Sequence, residues 1–150
     1  MRNCDQCKAG MSDVEHRWEV SEEWQKCIPT AGGPEVDISF AYVLGEYCAE
    51  DHALDAIASY LDERKAKMTW ADVSPVEICA CCGKNFATAG RHLTLTLMEL
   101  SGPDETPNIH DSKYVARFCR TCVPPEGNDS KPDTSANVVT IARPAWVGND

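Results

Sequence analysis

The sequence predicts an α+β chain made of two small β-hairpin units and one long helix. Three observations carry that expectation. Cysteines recur as spaced pairs, several stretches alternate apolar with polar residues, and one stretch changes to helical period. The chain has 150 residues, 43% of them hydrophobic, which is enough for a compact core but not for two large independent domains. The expected organisation is a first unit at 1–70, a second at 71–123, and a loop, edge strand and tail at 124–150.

Along the chain, Cys4 and Cys7 open the first unit with a Cys-x2-Cys turn. Val14, His16, Trp18 and Val20 then alternate with polar neighbours, the period of a half-buried strand that continues towards Trp24 and Cys27. Two prolines and two glycines in Ile28–Pro34 predict a loop. Ile38, Phe40, Tyr42 and Leu44 alternate again and lead to Cys48. Next, Leu54, Ile57, Ala58 and Leu61 fall at helical spacing. Glu50 and Asp51 lie at the predicted start, and Arg64, Lys65 and Lys67 at the end, which suits the helix dipole over about residues 49–67.

The second unit opens with Cys79 and Cys82, Gly83-Lys84 marking Cys82 rather than Cys81 as the pair's second member. From His92, Leu93, Leu95 and Leu97 face one way and Thr94 and Thr96 the other, a strand; Lys113 to Phe118 returns to Cys119 and Cys122. Pro124 and Pro125 prevent a helix after Cys122. Residues 124–136 read as mobile, and Val138–Ala142 as an edge strand. Trp146 in the tail is expected to dock on the domain.

Aligning the units exposes a repeat. The interval from Cys4 to Cys79 differs from that between Cys48 and Cys119 only by a short loop, and an aromatic, Tyr47 or Phe118, precedes the third cysteine each time. A Cys-x2-Cys turn aims two sulfurs at one ion, and zinc takes four such donors in a tetrahedron. Cys79, Cys82, Cys119 and Cys122 form one closed set. Cys4, Cys7 and Cys48 form the other, completed by His52 or by Asp51, which the repeat aligns with Cys122. The expected cofactor is therefore Zn2+, two structural ions. Over 1–68 and 75–123 the pattern resembles the treble-clef and zinc-ribbon class of zinc modules. The resemblance implies a treble-clef-like first unit with the helix starting at its second ligand pair, and a ribbon-like second unit. Cys27 matches no repeat position and reads as a buried or free thiol.

Enzyme signatures fail one by one. No histidine is followed two places on by glutamate, as in zinc deaminases, and there is no His-Glu-x2-His, Gly-x-Ser-x-Gly or phosphate loop. An open zinc with Glu50 as base would be the one hydrolytic arrangement left, and a fourth protein ligand closes it. No enzyme is expected.

Charge decides among partners. Fourteen Lys and Arg against 24 Asp and Glu give −10. Seven thiolates contribute −7 and two zinc ions +4, taking the loaded chain to about −13. Only Lys84, Arg91, Lys113, Arg117 and Arg120 gather loosely as a basic group, so nucleic acid is not the expected partner. Asp13, Glu15, Glu19, Glu22, Glu23, Glu35 and Asp37 instead suggest an acidic face that steers a basic protein surface. The resulting expectation is a non-enzymatic, zinc-stabilised protein-binding module. The alternatives are an acidic inhibitor of a nucleic-acid-processing complex, of phage or mobile-element type, and a weak nucleic-acid binder. Absence of a secretion-type start or a long apolar run, with clustered thiols, predicts a cytoplasmic setting without membrane contact.

Overall fold

A computed structural model describes residues 2–12, 16–123 and 141–144. The chain is mixed α and β, mostly strand with one helix. The first half runs β1 (Arg2–Asn3), β2 (Gly10–Met11), β3 (Arg17–Ile28), β4 (Glu35–Tyr47) and α1 (Glu50–Glu63). The second runs β5 (Val76–Ile78), β6 (Asn85–Ala87), β7 (His92–Ser101), β8 (Asn108–Phe118) and a single 3-10 turn, Arg120–Cys122, before β9 (Ile141–Pro144).

The two hairpins are not separate small sheets. β3 pairs antiparallel with β7, joining them into one five-stranded sheet in the order β8-β7-β3-β4-β9. Each hairpin bulges twice, and at equivalent places. β3–β4 shifts register between Val20 and Ser21 and between Trp24 and Gln25; β7–β8 shifts between Leu95 and Thr96 and between Glu99 and Leu100. Each of those β3 positions precedes its β7 counterpart by the same interval that separates Cys4 from Cys79. The repeat therefore extends from the cysteines to the bulges, which set the local twist.

Bulges explain where alternation misleads. Ser39 and Leu44 are the extra residues of β4, so Ile38 joins one core cluster, Phe40 packs against the other, and Tyr42 and Leu44 are exposed. β7 is buried on both faces from His92 to Met98, where polar exposure of its threonines would follow from a two-layer unit. One face carries Val20, Trp24, Leu93, Leu95, Leu97 and Phe118 with Ala53, Ile57 and Leu61 of α1. Cys27, Val36, Ile38 and Tyr114 form a second cluster with Ala71 and Val73.

α1 is shorter than the predicted 49–67, and its buried stripe is Ala53, Ile57 and Leu61 rather than one centred on Leu54 and Ala58. Glu50 and Asp51 do occupy the first turn, but no basic residue lies in the last. The chain reverses at Lys65, held at φ +53°, and the Ala66 amide closes back on Leu61 O at 2.9 Å. Arg64, Lys65 and Lys67 therefore lie beyond the helix.

β9 is the described part of the expected edge strand, on the outer side of β4 from Glu35 to Ile38. Residues 124–136, Val138 and Trp146 lie outside the described residues. Among the described residues no helix is long and apolar enough to cross a membrane.

Candidate metal centres

Each centre starts from a tight turn between two short strands, and the two turns share their hydrogen bonds. The Lys8 amide donates to Cys4 O and the Gly83 amide to Cys79 O, both at 2.9 Å; Cys4 N donates to Ala9 O and Cys79 N to Lys84 O, also at 2.9 Å. Every one of these residues has its counterpart at the repeat interval. Lys8 and Gly83 both take positive φ, +70° and +77°, which frees the turn to wrap its two sulfurs. Glycine adopts that conformation readily; lysine does so at a cost.

The hairpins bring the remaining donors. Tyr47 pairs with Trp18 and Phe118 with Leu93, so Cys48 and Cys119 emerge at the open end of each hairpin. In the first centre Cys4, Cys7, Cys48 and His52 gather with their ligand atoms within 4.8 Å of one another. His52 Nδ1 lies 3.5 Å from both Cys4 Sγ and Cys48 Sγ, and Cys7 Sγ lies 3.5 Å from Cys48 Sγ. The first turn of α1 presents His52 inward while Asp51 is exposed and stands outside this group. In the second, Cys79, Cys82, Cys119 and Cys122 gather to the same tolerance. Cys81 is not among them. Its thiol faces Arg64 O at 3.6 Å, beside a cavity of about 390 Å3 bounded by Arg64, Leu93, Phe118 and Cys122. Cys27 is buried, away from both groups.

Electrostatics within each group split the thiols. Burial pushes the Cys4 thiol up, but amide hydrogen bonds from Cys7, Cys48 and Gln6 and the His52 contact outweigh it and bring the pKa down to about 6. Cys48 is raised to about 11, first by its contact with Cys7 and then by burial. At the second centre burial also opposes ionisation of Cys119, yet contacts with Thr121, Cys122 and Cys79 lower it to about 7. Cys122 is raised by burial and by the neighbouring thiols. The three crowded sulfurs of the first group and the four of the second cannot all ionise without a cation among them. Each group therefore has the composition and spacing to hold a metal ion.

The charged residues are arranged differently from the expected surfaces. Glu23 is 1% exposed and accepts a hydrogen bond from Gln25. Glu22 accepts from Tyr60 and pairs with Arg64 on the helix side of the sheet. Glu19 is half-buried, and burial followed by Glu46 raises its pKa. Alternation along β3 therefore divides these acids between faces; Asp13 and Glu15 lie outside the described residues. Arg117, counted above with the basic group, is fully buried: its guanidinium reaches Gln25, His92 and Thr94 at 2.7–2.9 Å and donates to Asp72 O. Sequence reading missed this buried network, although strand alternation places His92 and Thr94 on one face of β7.

In comparison with known proteins, no family model, no curated protein and no solved structure matches this chain.

Proposed function

We propose that the chain is a zinc-stabilised module that works by binding another protein and not by catalysis. Cys4, Cys7, Cys48 and His52 hold one Zn2+, and Cys79, Cys82, Cys119 and Cys122 hold the other. The observation that carries this reading is the pair of four-donor groups, each within 4.8 Å, built from equivalent turns. Thiolate-rich tetrads favour zinc over hard cations. Four protein donors also complete a tetrahedron, leaving no position for an activated water. Zinc there would supply folding energy, of order 10–16 kcal/mol in peptide systems.

The protein-binding part rests on charge. At −10 the chain repels phosphate backbones and attracts basic surfaces over long range. The burial of Glu23 and the engagement of Glu22 reduce the continuous acidic face that a nucleic-acid mimic needs. We therefore favour a general protein-binding role over the inhibitor. Native mass spectrometry of the undenatured chain tests the metal assignment, two zinc ions being expected. Copurification from source cells, washed at rising salt, tests the partner. No bound metal, or association with nucleic acid alone, would end the reading.

A further inference from the structure

α1 begins at one metal centre and ends at the other. His52, the third residue of the helix, belongs to the first group, and Cys48 stands immediately before the Ala49 cap. At the far end, about 18 Å along the axis, the chain closes on the turn of the second group. The Cys81 thiol donates to Arg64 O at 3.6 Å, and the Lys67 amide donates to Ala80 O at 3.1 Å. Between the ends, Ala53, Ile57 and Leu61 lie in one apolar cluster that also holds Cys4 of the first turn and Ala80 of the second, with Cys48 and Cys81 packed against it. Tyr60 and Arg64 both engage Glu22 of β3, which fixes the last turns of the helix on the sheet.

The start of α1 is its weaker end. Ala49 is extended, at φ −148° and ψ 151°, and offers the first-turn amides no side-chain acceptor, so the hydrogen bond that a serine, threonine or aspartate cap gives them is missing. A helix of 14 residues is marginal without such support. An ion held jointly by Cys48 and His52, four residues apart, closes this turn in place of the cap.

We propose that α1 couples the two metal centres, so that filling either one raises the affinity of the other. With an ion in the first centre the helix is held from its first turn, and its end presents Arg64 O and the Lys67 amide to Cys81 and Ala80. Without the ion the first turn frays and Ala53 and Ile57 loosen from the cluster. The second turn then loses part of the framework that gathers its sulfurs. The contacts at that end use Ala80 and Cys81, which lie between the ligands Cys79 and Cys82, so the helix acts on the turn itself. Linkage makes the effect equal in both directions. The inference rests on the zinc-binding reading above and adds that the two ions do not bind independently.

The test is amide hydrogen exchange on the full chain at a free zinc level set by a chelator, with ion counts from native mass spectrometry. The Cys4 and Lys8 amides report opening of the first turn, and the Cys79 and Gly83 amides report opening of the second. His52→Ala alters only the first ligand group, yet it should speed exchange at Cys79 and Gly83 roughly tenfold or more. Lys67→Pro removes the amide that reaches Ala80 O and leaves all eight ligands in place, so it folds even where His52→Ala does not. It should speed Cys4 and Lys8, at the far centre, by a similar factor, while amides of the β3–β7 ladder keep their rates. Lys67→Gln, which retains the amide, should match the wild type at both turns. Exchange that quickens only at the turn each substitution touches would overturn the coupling and leave two independent zinc sites. So would equal quickening of the β3–β7 ladder, since the effect would then run through global stability and not through α1, or Lys67→Gln behaving as Lys67→Pro. A wild-type chain that binds no zinc would instead end the zinc-binding reading itself.

Discussion

Ser21 and Thr96 face each other across the β3–β7 pairing, and the interval between them along the chain is the one that separates Cys4 from Cys79. Equivalent residues of a repeat meet in this way only where an approximate two-fold axis passes between them. Every other β3–β7 pair obeys it: Arg17 meets Leu100 as Gln25 meets His92. The axis places the two metal-site groups at opposite ends of one shared sheet, with a core cluster that draws on both halves.

A shared sheet predicts shared unfolding. Cys119→Ser should reduce the zinc count in native mass spectrometry from two to one. It should also lower the melting temperature in a single calorimetric transition, because Leu93, Leu95 and Leu97 pack in the same cluster as Val20 and Trp24. With structural zinc contributing ~10–16 kcal/mol in peptide systems, the variant should be largely unfolded near 37 °C. Two separated transitions, one at the wild-type temperature, would show the halves to be independent.

At the first centre the helix brings His52, and not Asp51, among the three sulfurs. His52 Nδ1 lies 3.5 Å from two sulfurs, whereas Asp51, one residue earlier and about 100° around the helix, faces solvent. His52→Ala should release one zinc ion, and Asp51→Ala should keep both. The readout is stoichiometry after dialysis against a mild chelator. Retention in the first variant and loss in the second would reverse the assignment.

Burial of Arg117 predicts a large cost on truncation. Arg117→Ala strands Gln25, His92 and Thr94 in the interior, removes the donor to Asp72 O, and should destabilise by about 3–5 kcal/mol. Lys84→Ala, exposed in the second metal-site turn, should change stability by no more than about 0.5 kcal/mol. Urea titration of the zinc-loaded proteins compares them. Equal effects would mean that Arg117 is in contact with water in solution.

The cysteine spacing made the repeat and both donor groups legible, because metal ligation constrains local chain distances that a sequence displays directly. Which strand lies beside which is another matter. Nothing local to Ser21 or Thr96 announces their pairing, so the sequence alone predicts two small sheets. The bulge at Ser39 shifts the phase of alternation with no glycine or proline to mark it, and the one at Leu44 is signalled only by the adjacent Gly45. Ile38, Phe40, Tyr42 and Leu44 therefore looked like one face. Arg117 read as surface charge because period alone cannot tell a strand covered on both faces from one covered on a single face. The helix overran for a similar reason: Lys65 at φ +53° is a stop that glycine, not lysine, usually signals.

His92 should set a separate acid limit on stability. Burial, then the Arg117 guanidinium 2.9 Å from Nε2, lowers its pKa to about 4. Nδ1 meets Gly90 O at 2.8 Å, so the neutral ring donates there and accepts from Arg117. Phe86 covers the ring edge-on, and Gln25 and Thr94 share the same guanidinium. In the unfolded chain the imidazole titrates near 6.5. Between those values the unfolded chain binds a proton that the native one refuses, so acid favours unfolding. The contribution is whole above pH 6.5 and is lost progressively down to pH 4, amounting to about 3 kcal/mol. His92→Gln keeps an acceptor for Arg117 and removes the titration. Both metal-site groups are also acid-sensitive, but identically in the two proteins, so the difference between their stability curves isolates His92. From pH 6.5 to 4 the wild type should lose about 3 kcal/mol more than the variant. Parallel curves would mean that His92 is protonated, or in contact with water, in the native protein.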